Sequence, residues 1–401
     1  MCYTCHAIMK PIFAAIFLVF SFVLASSPST HAASVNADGR YFIPTTRSFW
    51  KNAIGARHVF EDGFTATLSD LQLKLVRLAG LRPIPVKKFN ILAETIALSS
   101  PTPQAIPSQL VSWGIREMLD DPQAKETAGG SGVTVAVLDT GVDREHPDLA
   151  RRIVGCVSFS DGAKPIVEDS CDDANGHGTH MAGIIAADGG VFGEGIYGFA
   201  PSASISAYRV CDGDGLCYSD DIGAAMMRAV DDGAQIIVLG FGGESESSFI
   251  DDALVYAMEH DVLVIAAAGN DGPYDDSLDW PARSERVVSV GALDNAQAPA
   301  EFSSRGLNDS TRAYQRNEGD VEFAAPGINI ESTYRGGGYA ILSGSSMAAP
   351  HVAGLAALVW QSDAKNSAEA TRFLLREMAA DINLKGDDSA TGWGMPHILH
   401  R

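Results

Sequence analysis

Three separated stretches of this 401-residue chain each carry one residue suited to nucleophilic catalysis. Val135-Ala136-Val137-Leu138-Asp139-Thr140-Gly141 offers a carboxylate, and Asn175-Gly176-His177-Gly178-Thr179-His180 an imidazole. Ser343-Gly344-Ser345-Ser346-Met347-Ala348-Ala349-Pro350-His351 offers a hydroxyl. A serine hydroxyl is a weak nucleophile at neutral pH. It becomes effective when an imidazole takes its proton and a carboxylate holds that imidazole in one tautomer. Asp139, His177 and Ser346 lie far apart in the chain, so only a tertiary fold brings them together.

The surrounding pattern supplies such a fold. Short apolar runs at 133–138, 204–210, 236–239, 262–268 and 287–290 read as buried parallel strands. Segments 221–232, 248–260 and 346–361 are helical by period. Alternating strand and helix indicates an α/β domain with a mostly parallel sheet. Asp139 then falls at the carboxyl end of a strand, where ligands and catalytic groups gather in such sheets. Ser346 stands where a glycine-rich loop enters an apolar helix, whose free N–H groups and positive dipole end favour an oxyanion. Pro350 is expected in the first turn, where a missing N–H costs least. Ser343 and Ser345 are rival nucleophiles by composition alone. His180 shares a helix face with His177, but no Glu stands between them as in a zinc-protease helix, which favours a structural role.

These stretches resemble the subtilisin-like serine proteases, the subtilases, and the Ser346 stretch matches almost letter for letter. The resemblance implies a three-layer α/β fold and a nucleophile directly before Met-Ala, which is Ser346. Ser345 replaces a more usual Thr. It implies that Asn270, after the strand 262–268 and Gly269, donates to the oxyanion together with the Ser346 N–H. Two segments are expected to sandwich an extended substrate: Tyr208-Arg209-Val210 and Gly240-Phe241-Gly242-Gly243. Gly240 and Phe241 depart from the usual Ser and Leu, which alters the neighbouring pocket. Trp280-Pro281 resembles the wall of the primary pocket. The acids around it, Asp271, Asp275, Asp276 and Asp279, suggest a preference for Lys or Arg before the cut. Gln109 and Asp148 match two ligands of the family's calcium site, with the loop 188–196 as third contributor. No cofactor is expected for catalysis.

Composition places the protein outside the cell. Lys10 precedes an apolar run from Pro11 to Ala25, followed by small residues to Ala32. This reads as a cleaved leader over 1–32, because about 15 apolar residues are short for a membrane span. Cys2 and Cys5 leave with it. The remaining Cys156, Cys171, Cys211 and Cys217 allow three connectivities, and proximity favours Cys156–Cys171 with Cys211–Cys217. Net charge is -21 and unevenly spread. The first 100 residues hold 10 Lys and Arg against 5 Asp and Glu, the rest 19 against 45. The acidic part argues against nucleic-acid or anionic-membrane partners.

Residues 33–98 read as a small α+β unit with strands near 41, at 63–69 and at 86–92, and a helix over 70–79 capped by Ser69. Its phrase His58 to Ser69 resembles the inhibitory propeptides of subtilases. A Ser/Pro-rich linker at 99–107 precedes a catalytic domain over 108–401. The expected protein is a secreted, monomeric serine endopeptidase acting on extended polypeptides through an acyl-enzyme on Ser346. It is made as a zymogen whose self-cleaved propeptide inhibits it and aids folding. Rival readings are a binding-only pseudoprotease and a narrow amide or ester hydrolase.

Overall fold

A computed structural model describes residues 39–93, 103–162, 164–308 and 316–398. The leader expected over 1–32 and the linker residues 99–102 lie outside them. The chain divides after Val86 into two compact units.

The N-terminal unit holds strands β1 (Arg40–Ile43), β2 (Phe64–Thr67) and β3 (Ile84–Pro85) in the antiparallel order β2-β1-β3. Helices Ser48–Ile54 and Asp70–Leu78 accompany them. Ile43, Trp50, Phe64, Ala66, Leu68 and Val76 form its core. Ser69 caps the second helix reciprocally: Gln72 N–H donates to its hydroxyl, and its own N–H donates to Gln72 Oε1 at 2.9 Å. The helix at 48–54 was not legible, since Arg47 offers no side-chain cap.

The second unit begins at Lys87, not at the expected 108. The reason is β4 (Lys88–Ile91), which joins a sheet of that unit. In chain order there follow β5 (Thr134–Asp139), β6 (Ile153–Ser158), β7 (Val167–Glu168), β8 (Ser204–Arg209) and β9 (Leu216–Tyr218). Then come β10 (Ile236–Leu239), β11 (Phe241–Gly242), β12 (Leu263–Ala267), β13 (Val288–Leu293) and β14 (Phe323–Pro326). A hairpin, β15 (Ile330–Tyr334) with β16 (Gly338–Leu342), precedes the serine-bearing helix. The main sheet runs β14-β13-β12-β10-β5-β8-β6-β7, and all its pairs are parallel except β6 with β7.

Side-chain alternation builds the layers. Val135, Val137, Ile236, Val238, Leu263 and Ile265 face one core, which includes helices His177–Ala186 and Ser345–Leu358. Ala136, Leu138, Ile237, Leu239, Val264 and Ala266 face the other, with helices Ser219–Asp231 and Ser248–Glu259. A sheet buried on both faces needs apolar residues at every position, hence the continuous apolar runs. This is the expected three-layer α/β architecture. β5, β10 and β12 are adjacent and parallel, so their carboxyl ends emerge side by side at one edge.

Two small corrections concern the helices. The helix Ser345–Leu358 starts before Ser346, and Pro350 lies inside it rather than in its first turn. Pro350 therefore removes a bond that the Ser346 carbonyl would otherwise accept. The helix His177–Ala186 lies close against β15. A Cβ on Gly183 would stand 2.2 Å from Thr333 Oγ1 and 2.4 Å from Ser332 Oγ. Those hydroxyls donate to Thr179 O at 2.7 Å and His180 O at 2.8 Å, so they cannot simply turn away.

Gly183→Ala is expected to destabilise the chain by about 1–3 kcal/mol through overpacking. Urea unfolding in a Ser346→Ala background measures it, and an unchanged midpoint would contradict this packing.

Candidate active site

Asp139 ends β5 and is fully buried. His177 opens its helix, preceded by Gly176 at φ 110°. Its Nδ1–H donates to Asp139 Oδ1 at 2.8 Å, which leaves Nε2 as the acceptor, 2.9 Å from Ser346 Oγ. The Thr140 N–H also donates to Asp139 Oδ1, at 2.7 Å. Close approach depends on bare backbone. A Cβ on Gly178 would lie 2.1 Å from Gly141 O and 3.0 Å from Asp139 Cβ. A Cβ on Gly240 would lie 2.8 Å from Asp139 Oδ2 and 3.0 Å from His177 Cε1. Gly240, which departs from the family's usual Ser, thus borders the Asp–His pair directly.

Asp173, not singled out from sequence, anchors this helix start. Its carboxylate accepts from the Gly176 N–H at 2.7 Å, the Thr179 N–H at 3.0 Å and the Thr140 hydroxyl at 2.9 Å. An acid just ahead of a helix was the available signal. His180 points away from the triad, its Nε2–H shared between Ile330 O at 3.0 Å and Ala340 O at 3.2 Å. Burial, with the nearby His177 adding, lowers its pKa to about 3, so it is neutral. Burial likewise lowers His351 to about 4.

Asn270 follows β12 and reaches the same point. Its Oδ1 accepts from the Ser345 N–H at 3.0 Å and the Ser345 hydroxyl at 2.9 Å. A backbone N–H can only donate, so the amide's orientation is determined and Nδ2 faces outward. Nδ2 donates to the carbonyl oxygen of Leu92 at 2.9 Å. Ser346 Oγ lies 2.6 Å from the same oxygen, its one proton being directed to His177 Nε2. Ser345, a rival nucleophile by composition, is therefore occupied in aiming Asn270. The expected second donor, the Ser346 N–H, makes no bond to this oxygen among the described residues. Gly344 is bare because the carbonyl passes it: a Cβ there would stand 2.3 Å from Leu92 O.

β4 leads into this point as the middle strand of a three-stranded antiparallel sheet, β11-β4-β9. Ile91 pairs with Phe241 and Asn90 with Gly242, while Lys88, Phe89 and Asn90 pair with Tyr218, Cys217 and Leu216. The Leu92 N–H donates to Gly240 O at 2.9 Å. Phe89 is fully buried, its ring edge-on to Phe241 with centroids 6.3 Å apart. The segment 240–243 thus flanks the chain's own extended segment Lys88–Leu92. The other expected flank, Tyr208–Val210, does not. Tyr208 and Arg209 lie within β8, paired on both sides by β5 and β6, and the Val210 N–H donates to Asp139 O. With no free edge there, the flank falls to Leu216–Tyr218, beside the Cys211–Cys217 disulfide. The second disulfide joins Cys156 to Cys171, so the proximity pairing holds.

Of the four acids near Trp280, three are exposed. Asp271 is open, Asp276 pairs with Arg283, and Asp275 accepts from the Ser389 hydroxyl. Only Asp279 is buried. Burial first, then Asp271 and Glu244, push its pKa up to about 7. Asp148 Oδ2 accepts from the Ile196 N–H and the Tyr339 hydroxyl, both at 2.8 Å. Gln109 Oε1 accepts from Arg116 at 2.7 Å.

A buried carboxylate, an imidazole and a serine in hydrogen-bonded series, beside an amide donor on a carbonyl oxygen, define a serine hydrolase of acyl-transfer type. The comparisons narrow this class. The Subtilase family model matches residues 130–394. Subtilisin from Bacillus sp. (strain TA39) is 39% identical over 359 residues, covering 84% of this chain and 84% of its own length. Subtilisin BL from Lederbergia lenta is 39% identical over 275 residues, covering 69% of this chain and 93% of its own. Among solved structures, Sphericase matches with a TM-score of 0.70 at 41% identity, over 73% of this chain and all of that one (100%). The chain belongs to the subtilase family and is a subtilisin-like serine endopeptidase. Such enzymes act on polypeptides and need no cofactor for catalysis. No helix among the described residues is long and apolar enough to cross a membrane.

The Asp279 environment sets a stability prediction. A carboxyl whose pKa is raised in the fold stabilises it fully below the unfolded value near 3.8, and this is lost as pH rises through about 7. In a Ser346→Ala background, Asp279→Asn should raise Tm above that pH and leave it unchanged in acid. Thermal melts across pH test this, and a pH-independent difference would contradict the assignment.

Proposed function

We propose that this endopeptidase is made as a secreted zymogen whose Ser346 cuts its own Leu92–Ala93 bond. In this reading Ser346 Oγ attacks the Leu92 carbonyl carbon while His177 Nε2 takes its proton. Asp139 stabilises the imidazolium, and Asn270 Nδ2 holds the developing oxyanion. His177 then protonates the amine of Ala93, which departs, and water hydrolyses the acyl-enzyme by the reverse proton route. The same steps serve other extended polypeptides once the cleft is empty.

One observation carries the proposal: the Leu92 carbonyl oxygen receives the Asn270 amide at 2.9 Å, and the nucleophile oxygen Ser346 Oγ stands 2.6 Å from that same carbonyl oxygen. The strand pairing of Lys88–Ile91 supports it, since a bound strand covers the cleft against other substrates. The cut therefore falls before the Ser/Pro-rich stretch at 99–107, which sequence alone favoured as the processing region. Residues up to Leu92 act as the inhibitor and folding aid, and the mature enzyme is a monomer. Mass spectrometry of the secreted protein should find Ala93 as the new N-terminus, and Ser346→Ala should leave the chain joined there. A mature N-terminus within 99–107, or normal cutting in Ser346→Ala, would overturn the proposal.

A structural calcium ion is the second part of the reading. Asp148 fits it: a Cβ on Gly195 would stand 2.0 Å from Asp148 Oδ1, and one on Gly190 2.9 Å, so this oxygen sits in a cradle of bare backbone. Loop carbonyls from 188–196 would complete a hard oxygen site. Gln109 does not fit as it stands, because Arg116 occupies its oxygen and a guanidinium repels a divalent cation. Strong chelation should lower Tm, with added calcium restoring it. A Tm indifferent to chelator would remove the ion from the account.

A further inference from the structure

Two backbone segments bracket Leu92. On one side its N–H donates to Gly240 O, within 240–243, and on the other Asn270 Nδ2 holds its carbonyl. The carboxylate of Asp279 lies against one glycine from each segment. A Cβ on Gly242 would stand 2.6 Å from Asp279 Oδ2, and one on Gly269 2.9 Å from the same oxygen. Asp279 is held there by its own backbone, its N–H donating to Ala268 O at 3.0 Å. It is only 6% exposed, yet among the described residues nothing hydrogen-bonds to its carboxylate. A buried carboxylate without a donor is costly unless a ligand supplies one.

We propose that Asp279 forms the floor of the pocket for the side chain preceding the cut, and that its protonation state selects that side chain. As a carboxylate it takes Lys or Arg. As a neutral acid it takes an apolar side chain such as that of Leu92. This rests on the endopeptidase reading and on Leu92 standing before the scissile bond. Gly242 and Gly269 carry no side chain to intervene between the entering group and the acid. Leu is short and apolar, whereas Lys and Arg are long enough to bring a cation to a buried oxygen.

The groups facing Asp279 keep the choice open. Glu244, just past β11, and Asp271, just past Asn270, are both acidic and oppose its ionisation. Arg283 on its own turn is engaged by Asp276, 2.5 Å away, and does not neutralise it. Together with burial they raise its pKa to about 7, so the switch operates near neutrality. A bound Lys or Arg would draw the group back to its ionised form.

The test uses the processed enzyme from the full chain and three peptides spanning residues 89–93, Phe-Asn-Ile-X-Ala, with X as Leu, Lys or Arg. Taking kcat/KM of the Lys or Arg peptide over that of the Leu peptide cancels the pH dependence of the shared triad. The ratio should rise by about tenfold or more between about pH 5.5 and about pH 8.5, the scale set by a desolvated charge pair. Asp279→Asn should flatten that profile. A flat wild-type ratio, or a rise that survives Asp279→Asn, would overturn the proposal. Benzamidine inhibition of the unmodified enzyme is a check independent of the variant: its Ki should fall over the same range, and a constant Ki would count against Asp279. Absence of Ser346-dependent cleavage of every peptide would instead defeat the endopeptidase reading.

Discussion

The buried bond from His177 Nδ1 to Asp139 Oδ1, at 2.8 Å, sets the terms for everything around it. It requires a strand end and a helix start to meet with no side chain between them. Gly178 against Gly141 O, and Gly240 against both partners, meet that requirement. Asp173 holds the helix start in place through N–H groups that would otherwise lack partners. The parallel sheet does the rest by placing the ends of β5, β10 and β12 side by side. One edge therefore presents the Asp139 carboxylate, the segment that pairs with Asn90–Ile91 and the Asn270 amide together.

A second constraint is orientation. An amide side chain has two chemically different ends, and only one stabilises negative charge. The Ser345 N–H and hydroxyl both bind Asn270 Oδ1, which commits Nδ2 to the carbonyl of Leu92. The Ser345 hydroxyl in turn accepts from the Gly269 N–H at 3.2 Å. The serine before the nucleophile thus ties the helix start to the end of β12, and a Thr would offer the same hydroxyl. Selectivity follows a different rule. Phe241 meets Phe89 edge to face, while Asp279 lies beneath glycines. Pocket character comes from whatever fills the space that bare backbone leaves.

The catalytic stretches were legible because their chemistry demands particular residue types in particular company. Gly-His-Gly, Gly-Asn and Ser-Met-Ala-Ala-Pro each encode a close approach, and the family resemblance adds their order. The strands of the main sheet were legible because burial on both faces leaves unbroken apolar runs. Less legible were features that depend on distant partners. Tyr208–Val210 reads as a strand beside the cleft, yet two neighbouring strands already occupy its edges. Lys88–Ile91 reads as part of the N-terminal unit, yet pairs with Leu216–Tyr218 and Phe241–Gly242.

The sequence by itself determined the reaction, since Asp139, His177, Ser346 and Asn270 sit in local motifs whose residue types permit little else. It also determined the layered α/β architecture, through apolar periodicity that acts over a few residues. Only the tertiary structure decided which peptide bond lies at the nucleophile, which of four acids is buried, and that Gln109 is engaged by Arg116. Those outcomes depend on contacts between residues remote in the chain, and on burial that converts an ordinary loop carboxylate such as Asp279 into a group titrating near neutrality. No local pattern encodes them, because the energy of a charge or a hydrogen bond is set by what the fold places beside it.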